Sequence, residues 1–376
     1  MIHLKEVKTT DQLKKFVEFP FKLYKGNPYW VPPIVKNEIN LFDKTKNPVF
    51  KHADARLFLA LENNEIVGRI AAIINHTEIN EQDIKKMRFG WFDFIDNTQA
   101  SKRLLDKVEE IGRENKLKFM EGPVGFSNLD KVGVLTEGFN HLSTMVTWYN
   151  HPYYVNHFET LGFTVEKIYL ENKFLFEHVK REPLERISTV IKKRYQLKSL
   201  NFTKTKDLLP YVDEMFDLFN KSHESLASFV PISDKEKSYL IDKYIRFINP
   251  EYIKFVLDKN GKMIAFAVIM PSFSKALQKA NGSLFPFGFY HLLKAKKTSK
   301  DVILYLIGIH PTYQKKGIHA LLFLDLQHSC EQNGIKNCIR TPELIENVSI
   351  AAIWKNFNPI THKRRCTYKK TLSTNC

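Results

Sequence analysis

The sequence predicts an α/β protein made of two similar halves, and three observations support that expectation. The 376 residues are too many for one small domain and suit about two or three. Two strand–turn–strand hairpins of one plan recur, one in each half. Each is followed by an apolar strand that runs into an amphipathic helix, an alternation that argues for α/β or α+β rather than a sandwich or bundle.

In the first half, Arg56–Glu62 alternates, turns at Asn63 and Asn64, and is answered by Ile66–Ile74. A strand over Phe89–Ile95 and a helix over Ala100–Asn115 follow. Tyr153–Phe163 closes the half as a short aromatic helix. Glu182–Leu197 is expected as a basic linker helix. In the second half, Leu208–Asn220 has helical spacing. Tyr252–Leu257 and Met263–Met270 form the second hairpin around Asp258–Gly261, whose Asn-Gly is a strong turn signal. Val302–Ile309 is the next strand, Gly317–Asn333 the next helix, and Ile350–Asn358 the closing one. The boundaries expected are 1–180, a linker at 181–200, and 201–372.

Composition narrows the class. Hydrophobic residues at 43% and aromatics at 13% are ample for packed cores, and charged residues at 26% are near the globular norm. The amino terminus lacks the apolar region of a secretory signal, and no apolar run is long enough to span a bilayer. Cys330, Cys338, Cys366 and Cys376 include no C-x-x-C pair, so they are read as reduced thiols of a cytoplasmic protein without a metal site. The net charge of +16 suits an anionic partner, although a Lys-, Asn- and Phe-rich genome gives the same excess.

The segment richest in chemistry is Val302–Asn333. An apolar strand ends at Ile309-His310-Pro311, and a short loop delivers Gly317 to a helix start. Backbone N–H groups at such a start, with the helix dipole, make an anion site suited to a pyrophosphate. Lys315 and Lys316 add positive charge there. The run Gln314-Lys315-Lys316-Gly317-Ile318-His319 resembles the Q/R-x-x-G-x-G/A signature of the GNAT acyltransferases. That resemblance implies a mixed sheet flanked by helices and a loop that holds the pyrophosphate of acetyl-CoA or a longer acyl-CoA. The implied cofactor residues are Ile309, His310, Gln314, Lys315, Lys316, Gly317, Ile318 and His319. His319 departs from the pattern, because glycine or alanine usually stands there. Asn347 and Ala351 match the family's N-x-x-x-A-x-x-Y pattern, and Asn347 joins the implied set. Trp354 stands in the tyrosine's place and cannot protonate a departing thiolate.

The first half shares the pattern without the loop. Asp96–Ala100 has no glycine and no lysine pair, and Asp96 would repel pyrophosphate, so this half is expected not to bind CoA. Four glycines and Pro123 between Glu121 and Gly138 describe a shaped loop, which either lines an acceptor pocket or is a structural crossover. Asp130, Glu137 and His141 are the candidate bases, with His151 beside them. Together with Asn27–Pro33, the two halves resemble a bacterial tandem-GNAT family, some of whose relatives are linked to N-acylation of long-chain amino lipids.

Ser283–Lys297 gathers four aromatics and ends in lysines, which suits a membrane interface, an acyl-channel mouth or a core-packing loop. The expected activity is N-acyl transfer from acyl-CoA to an amine, either a small molecule or a lipid, by direct attack and without a covalent intermediate. A carrier-protein or tRNA donor, or non-catalytic acyl-CoA binding, are the other readings. A nucleic-acid partner is not expected. The location expected is cytoplasmic, with peripheral contact at the inner membrane face.

Overall fold

The computed structural model describes residues 1–127, 129–224, 229–245, 248–347 and 353–372. Contacts divide the chain into two compact units. The first holds Met1–Leu170, Ser274–Leu292 and Lys363–Cys376; the second holds Glu171–Phe273 and Leu293–His362. Two segments of the later sequence thus pack with the first unit, which no contiguous split of the chain anticipates.

The strands, in chain order, are β1 (His3–Glu6), β2 (Ala53–Glu62), β3 (Glu65–Asn75), β4 (Lys86–Phe94), β5 (Phe119–Gly122), β6 (Val134–Glu137), β7 (Thr164–Leu175), β8 (Lys198–Asn201), β9 (Ile253–Leu257), β10 (Met263–Pro271), β11 (Asp301–Ile309), β12 (Asn337–Arg340), β13 (Glu343–Leu344) and β14 (Ile360–Thr371). β7 and β14 each begin in one unit and end in the other.

In the first unit β1, β2, β3 and β4 are antiparallel neighbours, and β4 pairs in parallel with β5. The β2–β3 turn places Asn63 and Asn64 at φ +49° and +66°, the left-handed pair a two-residue hairpin requires. The helix Thr98–Glu114 buries Ala100, Leu104, Leu105, Val108 and Ile111 on one face against this sheet. Part of the expected glycine loop is strand: Phe119–Gly122 pairs with β4 and with Tyr368–Thr371 of β14.

In the second unit β8, β9, β10 and β11 are antiparallel neighbours, and β11 pairs in parallel with β12. Asp258 Oδ1 accepts from the amides of Asn260 and Lys262, and Gly261 sits at φ +79°, which closes the β9–β10 turn. The helical stretch expected over Leu208–Asn220 is broken at Pro210 and becomes the helix Val212–His223. The helix Arg181–Arg194 is no free linker. It buries Leu184 and Ile191 and packs on the helix Ile318–Gln332. The closing helix expected over Ile350–Asn358 falls partly on residues 348–352, outside the described set, as does Ala351; Trp354–Asn356 is a single 3₁₀ turn.

Candidate functional site: an uncapped helix start behind a bulged strand

Among the described residues, β11 is paired on both edges only at its start. Its parallel register with β12 runs from Asp301↔Asn337 to Leu304↔Arg340. The Thr341 amide then meets the Leu304 carbonyl at 3.4 Å, and the chain turns away so that β13 pairs with β7. β11 continues to Ile309 against β10. At the point of divergence one extra residue, Tyr305, is bulged out between Leu304↔Ile269 and Leu306↔Val268. Beyond it Tyr305, Ile307 and Ile309 are half-exposed, while Leu306 and Gly308 are buried. A strand released on one edge offers backbone donors and acceptors to an extended ligand.

The loop after β11 aims amides at the same end. His310 Nδ1 accepts from the Thr312 amide at 3.3 Å and lies 2.8 Å from the Thr312 hydroxyl, so the neutral ring carries its proton on Nε2. Gln314 Nε2 donates to the Ile309 carbonyl at 3.2 Å and ties the loop to the strand end. Lys315 and Gly317 lie in the left-handed region, at φ +59° and +81°. Alternating handedness of this kind turns successive N–H groups inward. Gly317 is the N-cap of the helix Ile318–Gln332, and no side chain caps it; its first turn has no acid. A Cβ at 317 would lie 2.7 Å from Ile187 Cγ2 of the packed helix, so glycine is needed for space as well as for φ.

The expected residues 309–319 follow one another along this strand end, loop and first helical turn. Ile318 is buried and anchors the helix. Lys315 is exposed. The Lys316 ammonium sits 5.5 Å from the Tyr195 ring and 5.3 Å from the Tyr313 ring, a clamp that holds the charge at the loop. His319 is half-buried in the first helical turn, and burial lowers its pKa. Asn347 sits in a turn, its amide bonded to the Leu344 carbonyl. Amides, dipole and two lysines fit the pyrophosphate of an acyl-CoA.

Trp354 is 2% exposed, with the Arg340 guanidinium 4.1 Å from its ring centroid and Phe174, Phe323 and Phe357 around it. It belongs to the core. Cys330 and Cys338 are fully buried, and burial pushes the Cys338 thiol up to about 12, so neither is a nucleophile.

One group went unsuspected in the sequence. Gly308 brings β11 close to the helix Val212–His223: a Cβ there would lie 2.8 Å from Ser222 Oγ. The next residue, His223, has Nδ1 at 3.0 Å from the Phe219 carbonyl and 2.9 Å from Ser222 Oγ. A carbonyl only accepts, so Nδ1 carries the hydrogen and Nε2 keeps its lone pair. Burial holds its pKa below the ordinary 6.5. Its one signal in the chain is the Phe219/His223 i,i+4 spacing on an amphipathic helix, which is too common to single it out.

The other candidate bases lie in the first unit. Asp130 Oδ2 accepts from the Ser127 amide at 2.9 Å and shapes its loop. Glu137 is exposed and 3.5 Å from Arg364. The His141 amide closes a turn on Gly138, and the His151 ring packs on Tyr24 and Tyr153. Asp130 and Glu137 thus have separate partners. A Ser101–His157–Asp96 chain is also present, at 2.8 and 2.9 Å, but Ser101 is fully buried and no substrate reaches it. Among the described residues no group of His, Cys, Asp and Glu is placed to hold a metal, and no helix is long and apolar enough to cross a membrane.

No family model matches the chain. Two curated relatives do. Protein YghO of Escherichia coli is 26% identical over 317 residues, covering 84% of this chain and 80% of that protein. The bacterial ceramide synthase of Caulobacter vibrioides is 26% identical over 319 residues, covering 82% and 80%. Among solved structures, a tandem GNAT protein from the clavulanic acid biosynthesis pathway superposes over the full length of both chains, with a TM-score of 0.60 at 8% identity. A GCN5-related N-acetyltransferase from Sphaerobacter thermophilus gives 0.53 at 6% identity over 100% of this chain and 97% of that one. The fold is the tandem GNAT fold.

Proposed function

We propose that this chain transfers an acyl group from acyl-CoA, held at the Gln314–His319 loop, to the amine of a long-chain lipid. The observation that carries the reading is the helix start at Gly317, uncapped and flanked by Lys315 and Lys316, at the end of a strand freed on one edge. Similarity to a ceramide synthase supports the acceptor class, since a ceramide is an N-acylated long-chain amino alcohol.

The reaction is direct. The amine nitrogen attacks the thioester carbonyl carbon, the C–N bond forms as the C–S bond breaks, and the sulfur leaves as a thiolate that takes up a proton. A backbone N–H near the Tyr305 bulge polarises the carbonyl oxygen, a contribution on the order of 10²–10³ in rate. His223 Nε2 takes the proton the amine loses, and Trp354 takes no part. Holding both reactants in one site supplies much of the remainder.

Calorimetry with acetyl-CoA and palmitoyl-CoA is the test, with Gly317→Glu as control. Micromolar binding lost at least about a hundredfold in the variant supports the loop, because the new carboxylate occupies the anion site. Preference for palmitoyl-CoA, followed by turnover with a long-chain amino alcohol, supports the acceptor class. Absence of binding by either sinks the donor assignment, and binding without turnover of any amine sinks the transferase. The same turnover assay on Asp130→Asn, Glu137→Gln and His141→Asn compares the first unit's candidates with His223→Gln.

A further inference from the structure

One segment, most of it in the first unit, is built to be exposed. Between Pro271 and Lys300 the sequence has six lysines (Lys275, Lys279, Lys294, Lys296, Lys297 and Lys300) and no acid. Its base is held firmly. Ser274 Oγ donates to the Ser143 carbonyl at 2.7 Å, and Gln278 Nε2 donates to the carbonyls of Pro28 and Trp30 at 2.8 and 2.9 Å. Gly282, at φ +87°, packs under the Phe21 ring and accepts from the Val35 amide at 2.9 Å.

The tip beyond Gly282 is ordered too. Ser283 Oγ donates to the Phe285 carbonyl at 2.7 Å, and the Phe289 amide bonds the Leu284 carbonyl at 2.8 Å. This closed turn opens the helix Gly288–Thr298. It nevertheless leaves its rings in water: Phe285 is 82% exposed, Phe287 71%, Phe289 51% and Tyr290 55%. A clustered apolar surface of this size on an ordered segment marks an interaction site rather than chance exposure.

The helix specifies the partner. Phe289, Tyr290, Leu293, Lys294, Lys297 and Thr298 are its exposed residues, spaced so that they form one stripe. At 1.5 Å per residue the stripe runs about 12 Å from aromatic tip to lysine end. Aromatics that enter a bilayer to about 5–10 Å would therefore leave Lys294 and Lys297 at headgroup depth. A lysine-rich stretch with no acid between Pro271 and Lys300 in the sequence suits anionic headgroups.

We propose that Leu284–Lys297 docks this protein on an anionic lipid bilayer, with the Phe285, Phe287 and Phe289 rings in the interface and Lys294 and Lys297 against lipid phosphates. This does not depend on the donor loop. The test is flotation of the full chain with vesicles of phosphatidylcholine, with and without phosphatidylglycerol. The wild type should float with the anionic vesicles. The triple variant Phe285→Ser/Phe287→Ser/Phe289→Ser should lose at least about tenfold in partition on both kinds. Lys294→Gln/Lys297→Gln should lose on anionic vesicles only and match the wild type on neutral ones. A Phe289→Trp probe should shift its emission to the blue when anionic vesicles are added. Failure of the wild type to float, or equal flotation of wild type and triple variant, overturns the proposal. So does a dimer in light scattering that the triple variant converts to monomer, since a second copy then covers the face.

Discussion

The two units build one bulged, splayed strand twice and finish it in opposite ways. In the first, β4 pairs with β5 over Lys86–Arg88 only, then bulges at Trp91 and Phe92, with Trp91 at φ +45°. In the second, β11 diverges from β12 after Leu304 and bulges at Tyr305. Past the bulge the two part ways. In the first unit the chain after β5 crosses straight over β4: the Val124 amide bonds the Phe89 carbonyl at 2.7 Å, and a Cβ on Gly90 would lie 2.3 Å from the Val124 carbonyl oxygen. In the second, the chain leaves β11 for β7. The helix starts differ in the same sense. Asn97 Oδ1 takes the amides of Gln99 and Ala100 at 2.9 and 3.3 Å, whereas no side chain caps the helix at Gly317. A ligand site on this fold depends less on the backbone plan than on whether the protein itself satisfies the exposed groups.

The largest effect should come from the charges with which the first unit opens its parallel pair. Lys86 and Arg88 are buried and bind Glu78, which is fully buried, at 2.7–2.8 Å; Lys86 also meets Glu121 at 3.3 Å. The second unit uses Val302 and Leu304 over the same stretch of strand. Glu78→Gln should therefore cost about 3–5 kcal/mol of stability, because it leaves two cations underneutralised in the interior. Burial raises the Glu78 pKa and the neighbouring cations lower it further, for a net depression. Its contribution is thus present above the unfolded carboxyl value and is lost as pH falls through the folded one. Denaturant titration of wild type and variant measures both. A loss below about 1 kcal/mol would mean the network is idle.

The next largest effect concerns the helix before each hairpin. In the first unit the helix Thr10–Leu23 ends at its C-cap Tyr24, whose hydroxyl is spent on Asp93 at 2.8 Å, and burial pushes its pKa well up. In the second it ends at His223, whose Nδ1 is spent on the Phe219 carbonyl while Nε2 keeps its lone pair. His223→Gln should lower kcat about a hundredfold with little change in donor affinity. The wild-type kcat should fall with acid through a group titrating below 6.5, since the base must be neutral to act. The same depression makes the folded state bind fewer protons, so stability is also lost as pH drops below 6.5. The variant should lack the inflection in kcat; an unchanged profile would remove His223 from the chemistry.

The hairpins and the strand–loop–helix were legible because each is a local pattern: a two-residue turn, period-two alternation, a left-handed glycine before an apolar helix. The strand β14 was not. His362–Lys370 is mostly basic and was given no strand of its own, yet Lys363, Arg365 and Thr367 are buried, with Lys363 Nζ donating to the Leu142 carbonyl at 2.8 Å. Its partners lie far away in sequence, and pattern alone cannot supply them. Lys316 shows the same limit. Its charge at the loop was legible, but the Tyr195 ring that steadies it comes from a helix taken for a linker. His223 was not singled out because its tautomer is set by a carbonyl and its pKa by burial, which no spacing encodes.

The smallest effect tests the comparison most directly. Asn97→Ala removes the side chain that occupies the first unit's helix amides, at a cost of roughly 1 kcal/mol in stability. If an unsatisfied helix start were all that an anion site required, the variant would acquire a weak acyl-CoA site in the first unit. We expect none. Asp96 remains beside the helix start, bonded to His157 at 2.9 Å, and its charge opposes a phosphate at the positive end of the dipole. Pro123 and Val124 still cross where an extended ligand would pair with β4. Calorimetry on Asn97→Ala in the Gly317→Glu background isolates the first unit. Heat from acyl-CoA there would show that the cap alone separates the two units; silence would place the difference in the strand's occupied edge and the acid as well.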